Sequence, residues 1–373
     1  MEFEGIYQQA QVYLNGQLTG TNIYGYSNFY VPLENGLVYG ESNQLKVVAD
    51  NSKCPNSRWY SGSGIYRKVN LYVGGECYIH PEGVKITTPE IDRIQIEADV
   101  TGGEQLRALI FDKGRKIAEG LAEIKESLAK LSLDIQKAKL WDAENPYLYE
   151  YQLELINDGK VVDCVKGFLG IRTLSWDTKG FRKEVLLRGA CIHHDNGILG
   201  GCSFREAEER RIRILKEAGF NAIRCSHNPA SKDLLLACDK LGMYVMDEFA
   251  DQWLIHKNPY DYADADFRKN WQQDLRAMVL KNYNHPSVIM NSIGNEISEL
   301  ALPEGQEYCR KMAEFVRSID PSRPVTLGVN LMLCSMTAKG GGIYGDKKDK
   351  KGKKKENQNG SQTMDNAPTS TFF

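Results

Sequence analysis

The apolar pattern of this chain changes period near residue 180, and that change limits the folds open to it. Before it, segments such as "QQAQVYLNGQLTG", "RIQIEADV" and "YLYEYQLELINDGKVVDCVKGFLGIR" alternate apolar and polar residues, the period of half-buried β-strands. Asn15-Gly16 supplies a two-residue hairpin turn, which needs φ > 0. After it, strand-like and helix-like segments take turns. "EVLLRGA" reads as a buried strand, "SFREAEERRIRILKEAGF" as a helix closed by Gly219, and "NAIRCS" as a strand. "SKDLLLACDKLG" is a helix with Gly242 as its C-cap, and "MYVMDE" is a strand followed by a helix over Asp266–Asn282. "SVIMNSIGNE", the helix "GQEYCRKMAEFVRSID" and "PVTLGVN" complete five strands. Such alternation implies a parallel sheet flanked by helices, either doubly wound or a (β/α)₈ barrel. The fold class is therefore multidomain β plus α/β.

With 373 residues the chain exceeds one ordinary core. Its pattern divides it into β segments at 1–74 and 75–176, the β/α region at 177–345, and a Lys-rich, solvated stretch at 346–373. Short strands with regular turn signals make 75–176 a β-sandwich, with Trp141 and "ENPYLYEY" anchoring its core. The formal net charge of −2 gives no field to draw nucleic acid or a membrane surface. No run approaches the ~20 apolar residues of a membrane span. "MEFEGIYQQAQVYLNG" carries no signal-peptide pattern, and nine scattered cysteines without C-x-x-C spacing suit a reducing compartment, so a cytoplasmic location is expected.

Chemistry collects where the later strands end. The first ends in Cys191, His193, His194 and Asp195, and the second in Arg224, Ser226, His227 and Asn228. The third ends in Asp247 and Glu248 with Trp253 after them, and the fourth in Asn295 and Glu296. A barrel brings such residues together at one face. There is no H-x-H, H-E-x-x-H, G-x-S-x-G, G-x-G-x-x-G or Walker A pattern, which disfavours a metal hydrolase, a serine hydrolase and a nucleotide site. The loop "PNSRWYSGSGIYR" adds Arg58, Trp59 and Tyr60 as contact surface, while Tyr66 is expected to fold onto its own domain. A carboxylate beside an amide, with stacking surfaces available, fits carbohydrate. Glycoside cleavage needs one carboxylic acid to protonate the leaving oxygen and a second carboxylate opposite it.

Seven runs, "NSRWYSGSGIYR", "LWDAENPYLYEY", "GFLGIRTL", "LLRGACIHHD", "FNAIRCSHNP", "LGMYVMDE" and "NHPSVIMNSIGNE", occur in that order. Through them, from residue 1 to about 345, the sequence resembles glycoside hydrolase family 2, the β-galactosidase and β-glucuronidase family. The resemblance implies a partial sugar-binding jelly-roll, an immunoglobulin-like sandwich and a partial (β/α)₈ TIM barrel of about five strands, with both ends of the family's chain missing. It implies a retaining double displacement with Glu296 as general acid/base and Asn295 on the sugar 2-hydroxyl. The residues expected to bind substrate are Asn295, His193, Arg224, His227, Asn228, Asp247, Trp253 and Arg58. "GACIHHDNGILG" and "CSHNPAS" look most like β-galactosidase-type members. A β-glucuronidase, a β-mannosidase or a non-catalytic carbohydrate-binding protein are the alternatives. The family's nucleophile, a Glu ending barrel strand seven, has no counterpart in the five strands read here. "DEFADQW" has Gln252 and Trp253 where some members bind magnesium, so no metal and no cofactor is expected. Cys191 stands where relatives often carry Asn. The expected partner is an oligosaccharide or other β-glycoside, with homo-oligomerisation of the full-length parent left open.

Overall fold

Hairpins with left-handed turn residues build the first half of the chain. In the computed structural model, which describes residues 1–177, 180–181 and 185–340, Ala10–Leu14 and Gln17–Asn22 pair antiparallel around Asn15 (φ 50°) and Gly16 (φ 84°). Leu45–Ala49 adds a third strand, and a second three-stranded sheet joins Phe29–Tyr30, Glu2–Phe3 and Val69–Asn70 in that order. Their inward faces pack Phe3, Ile6, Val12, Leu14 and Phe29.

Seven strands between Tyr78 and Leu169 form the next unit. The turns Lys113-Gly114 and Asp158-Gly159 again sit at positive φ, and alternate residues such as Ile94, Ile96, Leu106, Ile110, Leu153 and Leu155 close its core. Trp141 is not in that core. It is 2% exposed, yet its Nε1 donates to the Asp239 carbonyl (2.7 Å) and its ring meets Tyr244, so it fastens the sandwich to the β/α unit.

The β/α unit holds five parallel strands in sequential order: β1 (Gly189–Ile192), β2 (Ala222–Cys225), β3 (Tyr244–Glu248), β4 (Val288–Asn295) and β5 (Val325–Gly328). Helices α1 (Arg205–Glu217), α2 (Lys232–Leu241), α3 (Ala265–Asn282) and α4 (Pro303–Ile319) connect them. The α2 helix starts where the Ser231 hydroxyl accepts from the Leu234 amide, and ends at Gly242 in the left-handed conformation. β1 corrects the expectation for "EVLLRGA": it begins only at Gly189, and Leu186 and Leu187 are exposed. As a sheet edge it has one neighbour among the described residues, so little covers it. A fifth helix, α5 (Leu331–Ala338), stands where no helix was expected, because an apolar run on every side carries no helical period. The stretch 346–373, and residues 341–345 before it, lie outside the described residues.

The N-terminal unit seats against the β/α unit through aromatic rings. Tyr7, Tyr24, Tyr26 and Tyr66 share one buried cluster with Phe249, Trp253 and Tyr262. Tyr66 is 6% exposed and donates to the Gly25 carbonyl within its own unit. Among the described residues no helix is long and apolar enough to cross a membrane.

Candidate active site

Successive side chains of a strand point to opposite faces, so the adjacent acids of β3 serve different masters. Asp247 faces α3. It pairs with Lys281 (3.1 Å) and accepts the Ala230 amide (2.8 Å), completely buried. Placing it among the substrate residues is therefore corrected: its charge is spent on fastening α3 to the sheet. Glu248 points the other way, into the space enclosed by the strand ends, and it is the hub of the site. Its carboxylate accepts from Arg224 Nη2 (2.8 and 2.9 Å), Arg224 Nε (3.1 Å) and the Ser292 hydroxyl (2.8 Å). His227 Nδ1 lies 2.9 Å from Glu248 Oε1, and since a carboxylate only accepts, that nitrogen carries the proton. Burial alone would lower the Arg224 pKa, but Glu248 outweighs it and holds the guanidinium charged.

The Asn295 amide bridges two ion pairs. Its Oδ1 accepts from Arg224 Nη2 (2.7 Å), and its Nδ2 donates to Asp251 Oδ1 (2.8 Å). Those two partners fix which end is oxygen and which is nitrogen, because a cation cannot accept and a carboxylate cannot donate. Asp251 also receives Lys257 Nζ (3.0 Å) and Arg58 Nη2 (2.6 and 2.7 Å). Burial pushes its carboxyl upward, but Lys257, Arg58 and the Asn295 amide together hold it below the usual carboxylate range. Lys257 further donates to the Asn295 carbonyl (2.8 Å).

Glu296, the next residue, stands outside this lattice of charge. Its backbone is left-handed (φ 48°), its amide donates to the Gly328 carbonyl (2.8 Å), and its Oε1 accepts from the Asn330 amide (2.9 Å). A non-glycine residue held there costs on the order of 1–3 kcal/mol and such strain clusters at functional sites. Glu296 is half-buried, and among the described residues no Lys, Arg or His reaches it at salt-bridge distance.

Above the hub, Trp59 of the N-terminal loop meets the rings of His193 (5.3 Å) and His227 (5.5 Å), and its Nε1 donates to the Tyr26 hydroxyl (2.9 Å). Burial and the neighbouring His227 keep His193 below the usual histidine pKa, hence neutral near pH 7. Arg58, His193, Arg224, His227 and Asn295 are thus brought together. Two other expected residues are not. Trp253 is 0% exposed, stacks on Phe267 and donates to the Ile293 carbonyl (3.0 Å), leaving no face for a ligand. Asn228 is buried beside a small cavity lined by His194, Ser203, Glu208 and Arg211. Asp251, Lys257 and Asn330 were missed, and Glu248 was placed at its strand end but not among the substrate residues. Glu248 was visible at the end of "MYVMDE", but its orientation was not; Asp251 and Lys257 sit in an irregular loop with no period to mark them. Among the described residues no group of three or more His, Cys, Asp or Glu is arranged to hold a metal ion.

Two β-built units seated against a partial barrel, whose strand ends gather carboxylates, guanidinium, imidazole and amide, define a multidomain β plus α/β protein. The chain belongs to glycosyl hydrolases family 2: the family's TIM barrel domain matches residues 181–361, and a further domain of the same family matches 82–172. It is 37% identical to a β-galactosidase of Bacteroides ovatus over 88% of this chain and 45% of that protein. It is 29% identical to a β-glucuronidase of Bacteroides fragilis over 88% of this chain and 52% of that one. The chain thus spans about half the length of these curated relatives. A crystal structure of a family 2 member from Bacteroides cellulosilyticus superposes with a TM-score of 0.83 at 39% identity, covering 88% of this chain and 45% of that one.

Proposed function

We propose that this chain carries the acid/base half of a retaining β-glycosidase acting on terminal β-galactosides. One observation carries the assignment. Of the acids at the strand ends, Asp247, Glu248 and Asp251 each face a cation at 2.6–3.1 Å and Asp195 is exposed at the sheet edge, whereas the half-buried Glu296, among the described residues, faces the Asn330 amide and no cation. A general acid must hold a proton and then release it, and a carboxylate locked against a guanidinium or ammonium cannot. Glu296 protonates the glycosidic oxygen as the bond to the anomeric carbon breaks, and in the second step takes a proton from the attacking water. The Asn295 Nδ2 keeps one hydrogen for the sugar 2-hydroxyl, and the Trp59 ring flanks the sugar. The second carboxylate is not offered by any of the charge-locked acids, so we assign it to a residue outside those described. Galactose is favoured by the "GACIHHDNGILG" and "CSHNPAS" runs and by the 37% identity to a β-galactosidase.

Azide tests this reading because it can replace a nucleophile. The 373-residue chain is given phenyl β-galactoside, β-glucuronide and β-mannoside, each with and without sodium azide. Azide-dependent phenol release from the galactoside is expected, with α-galactosyl azide as product and at most trace turnover without azide. Release from the glucuronide or mannoside instead would correct the sugar. Sugar binding with no release from any substrate would point to a carbohydrate-binding protein and sink the proposal.

A further inference from the structure

Part of the charge that orients the Asn295 amide comes from outside the β/α unit, beside Arg224 and Lys257 within it. Arg58 lies in the loop between Leu45–Ala49 and Gly64–Ile65 of the N-terminal unit, 193 residues before Asp251. Its Nη2 straddles both Asp251 oxygens, at 2.6 Å from Oδ1 and 2.7 Å from Oδ2. Oδ1 is shared with Lys257 (3.0 Å) and Asn295 (2.8 Å), while Oδ2, among the described residues, accepts from Arg58. Lys257 holds one oxygen and Arg58 spans both, so Arg58 fixes the rotation of the carboxylate, and the carboxylate together with Arg224 sets the amide.

The loop is built to hold that position. Asn56 Nδ2 donates to Asn51 Oδ1 (2.6 Å) and the Lys53 carbonyl (2.7 Å), and Asn56 Oδ1 accepts from the Tyr7 hydroxyl (3.1 Å). Asn51 Nδ2 closes the far side onto the Gly62 carbonyl (3.0 Å) and the Ser63 hydroxyl (2.7 Å). The Tyr260 amide of the β/α unit reaches across to the Pro55 carbonyl (3.3 Å). A guanidinium on a loop so tied is preorganised, and little entropy is lost in aiming it.

We propose that Arg58 is a positioning residue of the site: by clamping Asp251 it orients the Asn295 amide toward the sugar, making the N-terminal unit part of the site's sugar selectivity. The inference rests on Asn295 donating to a sugar hydroxyl. Without Arg58, Oδ2 of a carboxylate 4% exposed loses its partner, the carboxylate turns about the Oδ1 contact that Lys257 keeps, and the amide is left with Arg224 as its firm anchor.

The test compares the 373-residue chain with Arg58→Gln and Arg58→Lys. Isopropyl β-thiogalactoside and its 2-deoxy analogue are the probes, titrated by calorimetry, and the Asn295 side-chain ¹⁵N–¹H signals are followed by NMR. The parent should favour the hydroxylated sugar by about tenfold, the worth of one hydrogen bond. Arg58→Gln should bring that preference to about twofold and shift or broaden the Asn295 signals, with Arg58→Lys between them. A parent that binds both sugars equally would overturn the role given to Asn295 and this inference with it. A parent that discriminates, beside an Arg58→Gln chain that discriminates equally and leaves the Asn295 signals in place, would overturn the role of Arg58 alone.

Discussion

Replacing Glu248 by Ala should unfold the β/α unit far more readily than any exposed substitution. The carboxylate is 0% exposed and takes three contacts from Arg224, one from Ser292 and one from His227. Removing it leaves a guanidinium only 26% exposed with no anion at salt-bridge distance among the described residues. Breaking a buried pair from one side costs about 3–5 kcal/mol, most of it the stranded charge. Removing both partners is different, because no uncompensated charge remains. The cycle of Glu248→Ala, Arg224→Met and the double variant should therefore show coupling of about 2 kcal/mol or more, the double variant costing less than the sum of the singles. Urea unfolding followed by tryptophan fluorescence reads all four proteins. A Glu248→Ala cost below about 1 kcal/mol, or additive singles, would refute the buried-hub account.

Two further outcomes follow from the same contacts. Asp274 is buried in α3, where its Oδ2 accepts from the Tyr262 hydroxyl (2.6 Å), and burial pushes its pKa up to about 7. A raised carboxylate pKa favours the protonated folded state, so the contribution of Asp274 is intact below about pH 4 and lost as pH rises to about 7. Over about three pH units at about 1.4 kcal/mol each, Asp274→Asn should gain up to about 4 kcal/mol on the parent at pH 8, the gap closing toward pH 4. A gap independent of pH in urea titrations would contradict this. Gly242→Ala meets both a left-handed backbone (φ 78°) and the Ala143 carbonyl, 2.4 Å from where the new methyl would sit. It should cost about 2–3 kcal/mol in the same unfolding assay, and a loss under about 0.5 kcal/mol would show that the sandwich linker yields instead.

What was legible in the sequence was local. Asn15-Gly16 declares its hairpin because few residues accept positive φ, and Gly219 and Gly242 close α1 and α2 for the same reason. The strand ends were legible as places, since alternation of strand and helix puts them on one face. Which side chain enters the site was not. Asp247 and Glu248 differ by one position, and that parity is decided by the register of β3 against β2 and β4, a long-range fact. Trp253 looked like a stacking platform, yet the loop after β3 folds back and buries it against Phe267. Asp251 and Lys257 escaped because an irregular loop brings them beside Arg58 and Asn295, residues far away in the chain.

The most direct test of the central claim asks Glu296 for its proton. Parent and Glu296→Gln chains are compared, with azide present, on phenyl β-galactoside and on dinitrophenyl β-galactoside. Phenolate leaves poorly and needs a proton as the bond breaks; dinitrophenolate leaves unaided. If Glu296 is the general acid, the substitution removes release of phenol by about 10²-fold or more and spares release of dinitrophenol within a few-fold. Equal losses on the two substrates, or no loss on either, would contradict the assignment.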